Sequence, residues 1–526
     1  MCMGDSRAFS PMRRGIRHFV RSGRAILFQI DVHGVPECAV RYTEALHAEA
    51  NGSFCMYEHL DYIVRKGRFM ARSSSQDTME LLAPAGGWEQ LEYAIHFGAD
   101  AVYLASTRYG MRRRADNFDE DELPKVVEYA HAHGVDVHVT VNTMMTDEDI
   151  DDLHRYFAML DEAGVDAVII GDMGALAVAR EVAPNVAIHL STQASCMNAE
   201  SARMYASLGV SRIVLAREMS LAAIAEMRRR LPDEIELEAF VHGAMCMAYS
   251  GRCLISDYMA GRGANVGHCA QPCRWKYALV EEKRPGQYFP IEQDDRGSFI
   301  MSSNDMNMLS HLQELKDAGV NSIKIEGRAK GAYYVASVVN AYRHVLDGED
   351  ADAWQDELET TSHRPYCTGF YFGDPGQNQG TVEYARSHQM VARVLGCAAD
   401  ELGECGAFKL DEPCDAAEPY RVETLCRNRF FEGEELEAIS PDAAVRTCTV
   451  KRLVWHAAPG TDLKDIERDG LGRIIGPDPT CPGGTLVAVE VANRTMERYS
   501  FAVSFELHER DILRIRREGQ DVGRVL

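Results

Sequence analysis

Between Gly98 and Ile325 one unit recurs five times. An amphipathic stretch ends at a glycine, a small or polar residue follows, and an apolar β-rich run begins. The five instances are Gly98–Leu104, Gly134–Val139, Gly164–Ile170, Gly209–Leu215 and Gly319–Ile325. Glycine tolerates the left-handed turn that closes a helix, and a short run apolar on both faces belongs in a parallel sheet covered by helices. Three further strands fit the gaps: Met79–Ala83, Ala187–Ser191 and Glu236–Val241. Eight strands alternating with helices predict an α/β fold, a (β/α)8 TIM-like barrel. An open doubly wound sheet is the alternative. No G-x-G-x-x-G follows the first strand, so dinucleotide binding has no support.

The chain has 526 residues, enough for more than one domain. The barrel is expected over 79–348. Its seventh-to-eighth connection is abnormally long and carries an insertion at about 243–300. Within it, Trp275–Val280 and Ser298–Ser302 are expected to form a hairpin. A closing helix follows over Arg328–Leu346, then a linker over 349–385. Short apolar runs over 386–526 predict a small C-terminal all-β domain, barrel-like or sandwich-like: Met390–Leu395, Ala407–Leu410, Leu436–Ile439, Val445–Val454, Leu486–Val491 and Ser500–Phe505. Residues 1–78 show no sustained period. They are expected to be a poorly ordered extension, or a segment ahead of a true start at Met70 or Met79; their arginines also allow a basic arm for RNA.

The formal charge is −24, so nucleic acid is held only through a local basic patch. No apolar run approaches the ~20 residues that span a bilayer, which excludes a membrane protein. The 15 cysteines are odd in number and mostly scattered, and no secretory leader is evident. These features favour the reducing cytoplasm and, for a tight cysteine group, a metal before a disulfide.

Four cysteines form such a group: Cys246, Cys253, Cys269 and Cys273, in the pattern C-x6-C-x15-C-x3-C. Zinc sites usually place ligands as C-x2–4-C pairs, and the first spacing is too wide for that. A [4Fe–4S] cluster accepts four thiolates from looser loops and is preferred to zinc. Cys246 lies just past the seventh strand, so such a group would cap the face where barrels carry their chemistry.

Around it, Glu238 and His242 have even strand spacing that would put both on one face, a carboxylate–imidazole pair suited to proton transfer. Asp305 and Glu326 are further catalytic candidates. Arg112, Arg114, Arg274, Lys324 and Arg328 could line a positive mouth for phosphates or a dicarboxylate, with Tyr249 and Trp275 stacking on an extruded base. The competing reading makes the cations solvated or ion-paired and the aromatics hairpin core. No H-E-x-x-H, no G-x-S-x-G and no cysteine–histidine context marks a protease.

The stretch Glu238-x-Phe240-x-His242-Gly-Ala-x-Cys246 to Cys253-x-x-Ser256 resembles the signature of the peptidase U32 family, long labelled collagenase-like proteases. The likeness extends through Glu80–Gly86, Gly98–Tyr103, Ser302–Asp305, Ile323–Arg328, Ser362–Tyr366 and Thr368–Phe370, and covers about 79–526. The run Gly267–Trp275 is most similar to the branch implicated in prephenate-dependent 5-hydroxylation of the tRNA wobble uridine. Sister branches hydroxylate a 23S ribosomal RNA cytidine or act in oxygen-independent ubiquinone synthesis. The resemblance implies an iron–sulfur cluster on Cys246, Cys253, Cys269 and Cys273, tRNA and prephenate as partners, and an electron donor or paralogous subunit. A U32-type peptidase is the alternative activity. Asn304 departs from the family pattern, where Lys or Arg is common.

Overall fold

The computed structural model describes residues 16–22, 25–30, 79–112, 115–246, 253, 255–275, 278–280, 288–290, 303–373, 375, 385–399, 418–463, 466 and 472–517. The chain divides into two units, Met1–Thr78 and Met79–Leu526. In the first, Ile16–Ser22 pairs antiparallel with Ala25–Ile30. Apolar residues of Ala25–Ile30 give a β-forming run.

The second unit opens with the barrel. Its strands are β1 (Glu80–Pro84), β2 (Ala101–Leu104), β3 (Asp136–Val141), β4 (Ala167–Ile170), β5 (Ala187–Leu190), β6 (Val210–Val214), β7 (Glu236–Ala244) and β8 (Ser322–Ile325). Each pairs parallel with the next, and β8 pairs with both β7 and β1, which closes the cylinder. The doubly wound alternative is therefore excluded. The helices are α1 (Trp88–His96), α2 (Leu123–Ala132), α3 (Asp147–Glu162), α4 (Met173–Val182), α5 (Ala199–Ser207), α6 (Leu221–Arg230), α7 (Leu312–Asp317) and α8 (Ala332–Leu346). The five repeat glycines all have φ between +71° and +95°, the conformation that made the unit legible. At the opposite helix ends, Thr146 caps α3 and Asp172 caps α4 by accepting from backbone N–H groups.

Strand β7 outruns the barrel. Asp305–Asn307 pairs antiparallel with His242–Ala244, and Tyr366–Cys367 adds parallel to Asp305–Met306. The inserted hairpin exists but with another partner: Ala278–Val280 pairs with Tyr288–Pro290. Ser298–Ser302 lies outside the described residues. The expected linker is instead packed. Its segment Asp352–Leu358 is helical, Trp354 stacks on His344 with centroids 4.1 Å apart, and the Arg364 side chain is fully buried.

The C-terminal region is one nine-stranded antiparallel sheet, ordered 443–449, 435–440, 512–516, 388–399, 420–426, 498–503, 451–457, 485–488, 473–477. The expected single strand over Val445–Val454 belongs to two strands, and Ala407–Leu410 falls outside the described residues. Arg514 joins the sheet to the barrel's closing helix and to the helix Asp352–Leu358: it donates to Tyr333 at 3.1 Å and to Glu357 at 2.6 Å, and within the sheet to Glu437 at 2.8 Å. Among the described residues no helix is long and apolar enough to cross a membrane.

Candidate active site at the barrel mouth

Immediately past β8, the largely buried Glu326 carboxylate accepts from Arg112 at 3.3 Å and from Arg217 at 3.1 Å, both on Oε2. Burial alone would raise its pKa, but Arg112, Arg217 and Arg328 together outweigh it and hold Glu326 at about 2. It is a permanent anion there. Arg328 is buried too, and desolvation lowers its pKa to about 10; its guanidinium donates to Thr140 Oγ1 at 3.2 Å. Three guanidinium groups thus face one carboxylate, leaving a positive excess on the face where (β/α)8 enzymes work.

The cysteine loop begins at this cage. Arg217 donates its second nitrogen to the Ala244 carbonyl at 2.9 Å, two residues before Cys246. Gly243 has φ +97°, and a Cβ there would stand 2.5 Å from the Glu326 carbonyl oxygen, so only glycine lets β7 pass this close. Glu326 raises the pKa of Arg112, and the charges of Tyr103, Cys246 and Cys269 add to the effect. Cys253 and the Cys269 segment are fixed within the same loop. Asn265 brackets the Cys253 backbone with two hydrogen bonds, and its own carbonyl accepts from Met144 past β3. Ser256 Oγ accepts from Ala270 between Cys269 and Cys273, and the Cys269 sulfur accepts from Gln271 N–H at 3.3 Å.

All four cysteines are free thiols. Among the described residues, the one set of three His, Cys, Asp or Glu ligand atoms converging within 4.8 Å contains none of them. A single tetrahedral ion needs that convergence, whereas a cubane takes each thiolate at a separate corner. Four thiols are a donor set that an iron–sulfur group accepts.

Glu238 and His242 do not form the expected pair. The β7–β8 register slips by one residue, Lys324 opposing Phe240 and Ile325 opposing His242, and this bulge turns His242 to the other face. Glu238 points into the barrel, where Lys324 donates to it at 2.7 Å and Arg212 lies 3.5 Å away. His242 instead packs against Tyr334, Tyr342 and Tyr366, and burial lowers its pKa to about 3. Asp305 is buried and accepts from the Arg364 N–H at 3.2 Å, holding the chain beside β7. Lys324 lies in the barrel interior, 4.3 Å above the Tyr103 ring, a layer below Glu326.

Trp275 is exposed. Arg114 and Tyr249 lie outside the described residues, as does the side chain of Arg274. Asn304 donates to the Pro375 carbonyl at 3.3 Å. Arg217-Glu218 is among the polar strand ends that the sequence offers as a site, but Arg217 was not singled out as a binding residue, since an Arg-Glu pair at a strand end looks like any solvated rim. Sequence reasoning also missed His138 and His189, each a lone histidine in an apolar strand.

The model of Peptidase family U32 matches residues 86–381. The chain belongs to peptidase family U32. This U32 chain is 37% identical over 388 residues to the tRNA hydroxylation protein P1 of Bacillus subtilis, covering 72% of this chain and 86% of that protein. It is 33% identical to the tRNA hydroxylation protein P of Escherichia coli, covering 70% and 87%. It is 38% identical to the Escherichia coli 23S rRNA 5-hydroxycytidine C2501 synthase, over 52% of this chain and 40% of that one.

Proposed function

We propose that this U32 chain is an RNA-modifying enzyme that hydroxylates RNA at the barrel mouth. In its specific form the reading is oxygen-independent 5-hydroxylation of the tRNA wobble uridine, with prephenate as co-substrate and an iron–sulfur cluster on Cys246, Cys253, Cys269 and Cys273. The observation that carries it is the arginine-caged Glu326, whose Arg217 also holds the Ala244 carbonyl two residues before Cys246. The names of the hydroxylating relatives support the reaction class.

In this reading Arg112, Arg217 and Arg328 hold a dicarboxylate, since three cations against one anion leave room for two negative charges. Glu326, permanently ionised, orients the guanidinium groups and carries no proton at neutral pH. The same residues present positive charge to RNA phosphates on a chain of net charge −24. Trp275, exposed at the end of the cysteine loop, is available to stack on a base. When bound, the cluster supplies one-electron transfer, drawn from a donor protein or a paralogous subunit. The peptidase alternative gains nothing from His242, which faces the tyrosines of the closing helix and so does not serve Cys246 as a base.

The test is a nucleoside analysis of RNA from a deletion strain complemented with the wild-type chain, C246A or E326A. Wild type is expected to restore 5-hydroxyuridine derivatives and both variants to fail. A profile unchanged by deletion overturns the proposal.

A further inference from the structure

Barrel interiors are normally filled by layers of branched apolar side chains. Below the mouth of this one, His138 of β3, His189 of β5 and Glu238 of β7 meet instead. They are 2%, 5% and 0% exposed. One ligand atom from each lies within 4.8 Å of the other two, and the imidazole rings stand nearly perpendicular with centroids 4.8 Å apart. His138 Nδ1 and His189 Nδ1 have no hydrogen-bond partner, although both are buried. Two buried nitrogens left bare side by side require an explanation that packing does not supply.

Glu238 is only half engaged. Lys324 takes Oε1 at 2.7 Å, while Oε2 has just the 3.5 Å approach of Arg212. Arg212 is committed elsewhere, to Glu80 at 2.6 Å and Glu236 at 2.7 Å. A Glu238 carboxylate oxygen and one nitrogen of each imidazole thus lie within 4.8 Å of one another, in a site where each histidine has a partnerless nitrogen. We propose that His138, His189 and Glu238 form a second metal site, in the barrel interior and separate from the four cysteines, which takes one divalent ion of the zinc or iron(II) class. Two imidazoles and one carboxylate are a donor set that such ions accept, with a position left open. The charge balance permits it: Glu80, Glu236 and Glu238 oppose Arg212 and Lys324 around neutral imidazoles, an excess of one negative charge. The Lys324 ammonium competes with the ion for the same carboxylate.

The test uses the full-length chain carrying C246A and C253A, so that the cysteine site is disabled, titrated with Co2+ alone. The expected result is about one Co2+ per chain with weak visible d–d bands and no thiolate charge-transfer band. H138Q and H189Q are each expected to weaken binding by roughly 100-fold, and K324M to tighten it about tenfold by removing the competing cation. Should H138Q or H189Q misfold, the shape-preserving E238Q and the K324M gain carry the same decision. No Co2+ bound, as a pocket holding only water would give, overturns the proposal. So does Co2+ binding that these substitutions leave unchanged, whatever becomes of RNA hydroxylation.

Discussion

Arg217 Nη2 lies 3.1 Å from Glu326 Oε2, a contact between the end of β6 and the end of β8, while Arg217 Nη1 holds the Ala244 carbonyl on the way to Cys246. One guanidinium therefore couples the caged carboxylate to the first thiol. Arg217→Met is expected to cost about 2 kcal/mol, since Glu326 keeps Arg112 and Arg328, yet to lower iron retention and RNA hydroxylation by roughly tenfold or more. Arg217→Lys is not expected to rescue either, because a single ammonium cannot span both acceptors. Denaturant unfolding and iron content after desalting read the two effects. Full activity in R217M would contradict the coupling.

Gly243 sits between that carbonyl and His242. With φ at +97° and a Cβ position 2.5 Å from the Glu326 oxygen, Gly243→Ala is expected to cost about 3 kcal/mol. It should also displace Cys246 and so deplete bound iron. Urea midpoints and iron content check this together; a stable, iron-replete G243A would show that the close approach is dispensable.

His242 gives stability a pH dependence whose sign is fixed. Its pKa is about 3 in the fold, below the ordinary 6.5, so the unfolded chain takes up its proton first as pH falls. The contribution is fully present above about pH 6.5 and is lost toward pH 3, by up to about 1.4 kcal/mol per pH unit. Glu80 and Glu326, both held at about 2, lose their contribution only below the ordinary carboxylate value of 4.5. Replacing His242 by asparagine should flatten the slope between pH 6.5 and 5 in urea melts. An unchanged slope would assign it to other groups.

The buried Arg514–Glu357 pair carries the sheet onto the helix Asp352–Leu358. Arg514→Ala strands Glu357 and leaves Glu437 with His388 alone, and is expected to cost about 3–5 kcal/mol. The doubly apolar R514M/E357M should recover part of that loss, and thermal melts distinguish the two. Equal loss in both would mean that packing, not charge, is what R514A removes.

Five of the eight barrel strands were legible because each repeat glycine is a helix terminator with positive φ, a constraint written in one residue. The hairpin partner was not, because which of several short runs pairs across a long loop depends on turn geometry that composition does not encode. Glu238 and His242 were misplaced for a sharper reason: even spacing implies one face only while the register is unbroken, and the bulge opposite Ile325 breaks it. Lys324 and Glu326 are likewise two residues apart, yet occupy successive layers of the interior and its mouth. In the linker, the acidic run Glu349–Glu359 hid the burial of Trp354.

The most direct measurement is the iron and acid-labile sulfide content of the anaerobically purified full-length chain, with its visible spectrum, for wild type and for C246S, C253S, C269S and C273S. The expected result is a brown protein with about four irons and four sulfides per chain, its broad absorbance bleaching on reduction, and colour lost in every one of the four variants. A colourless wild-type protein, or one whose iron survives all four substitutions, would contradict a redox centre at the barrel mouth.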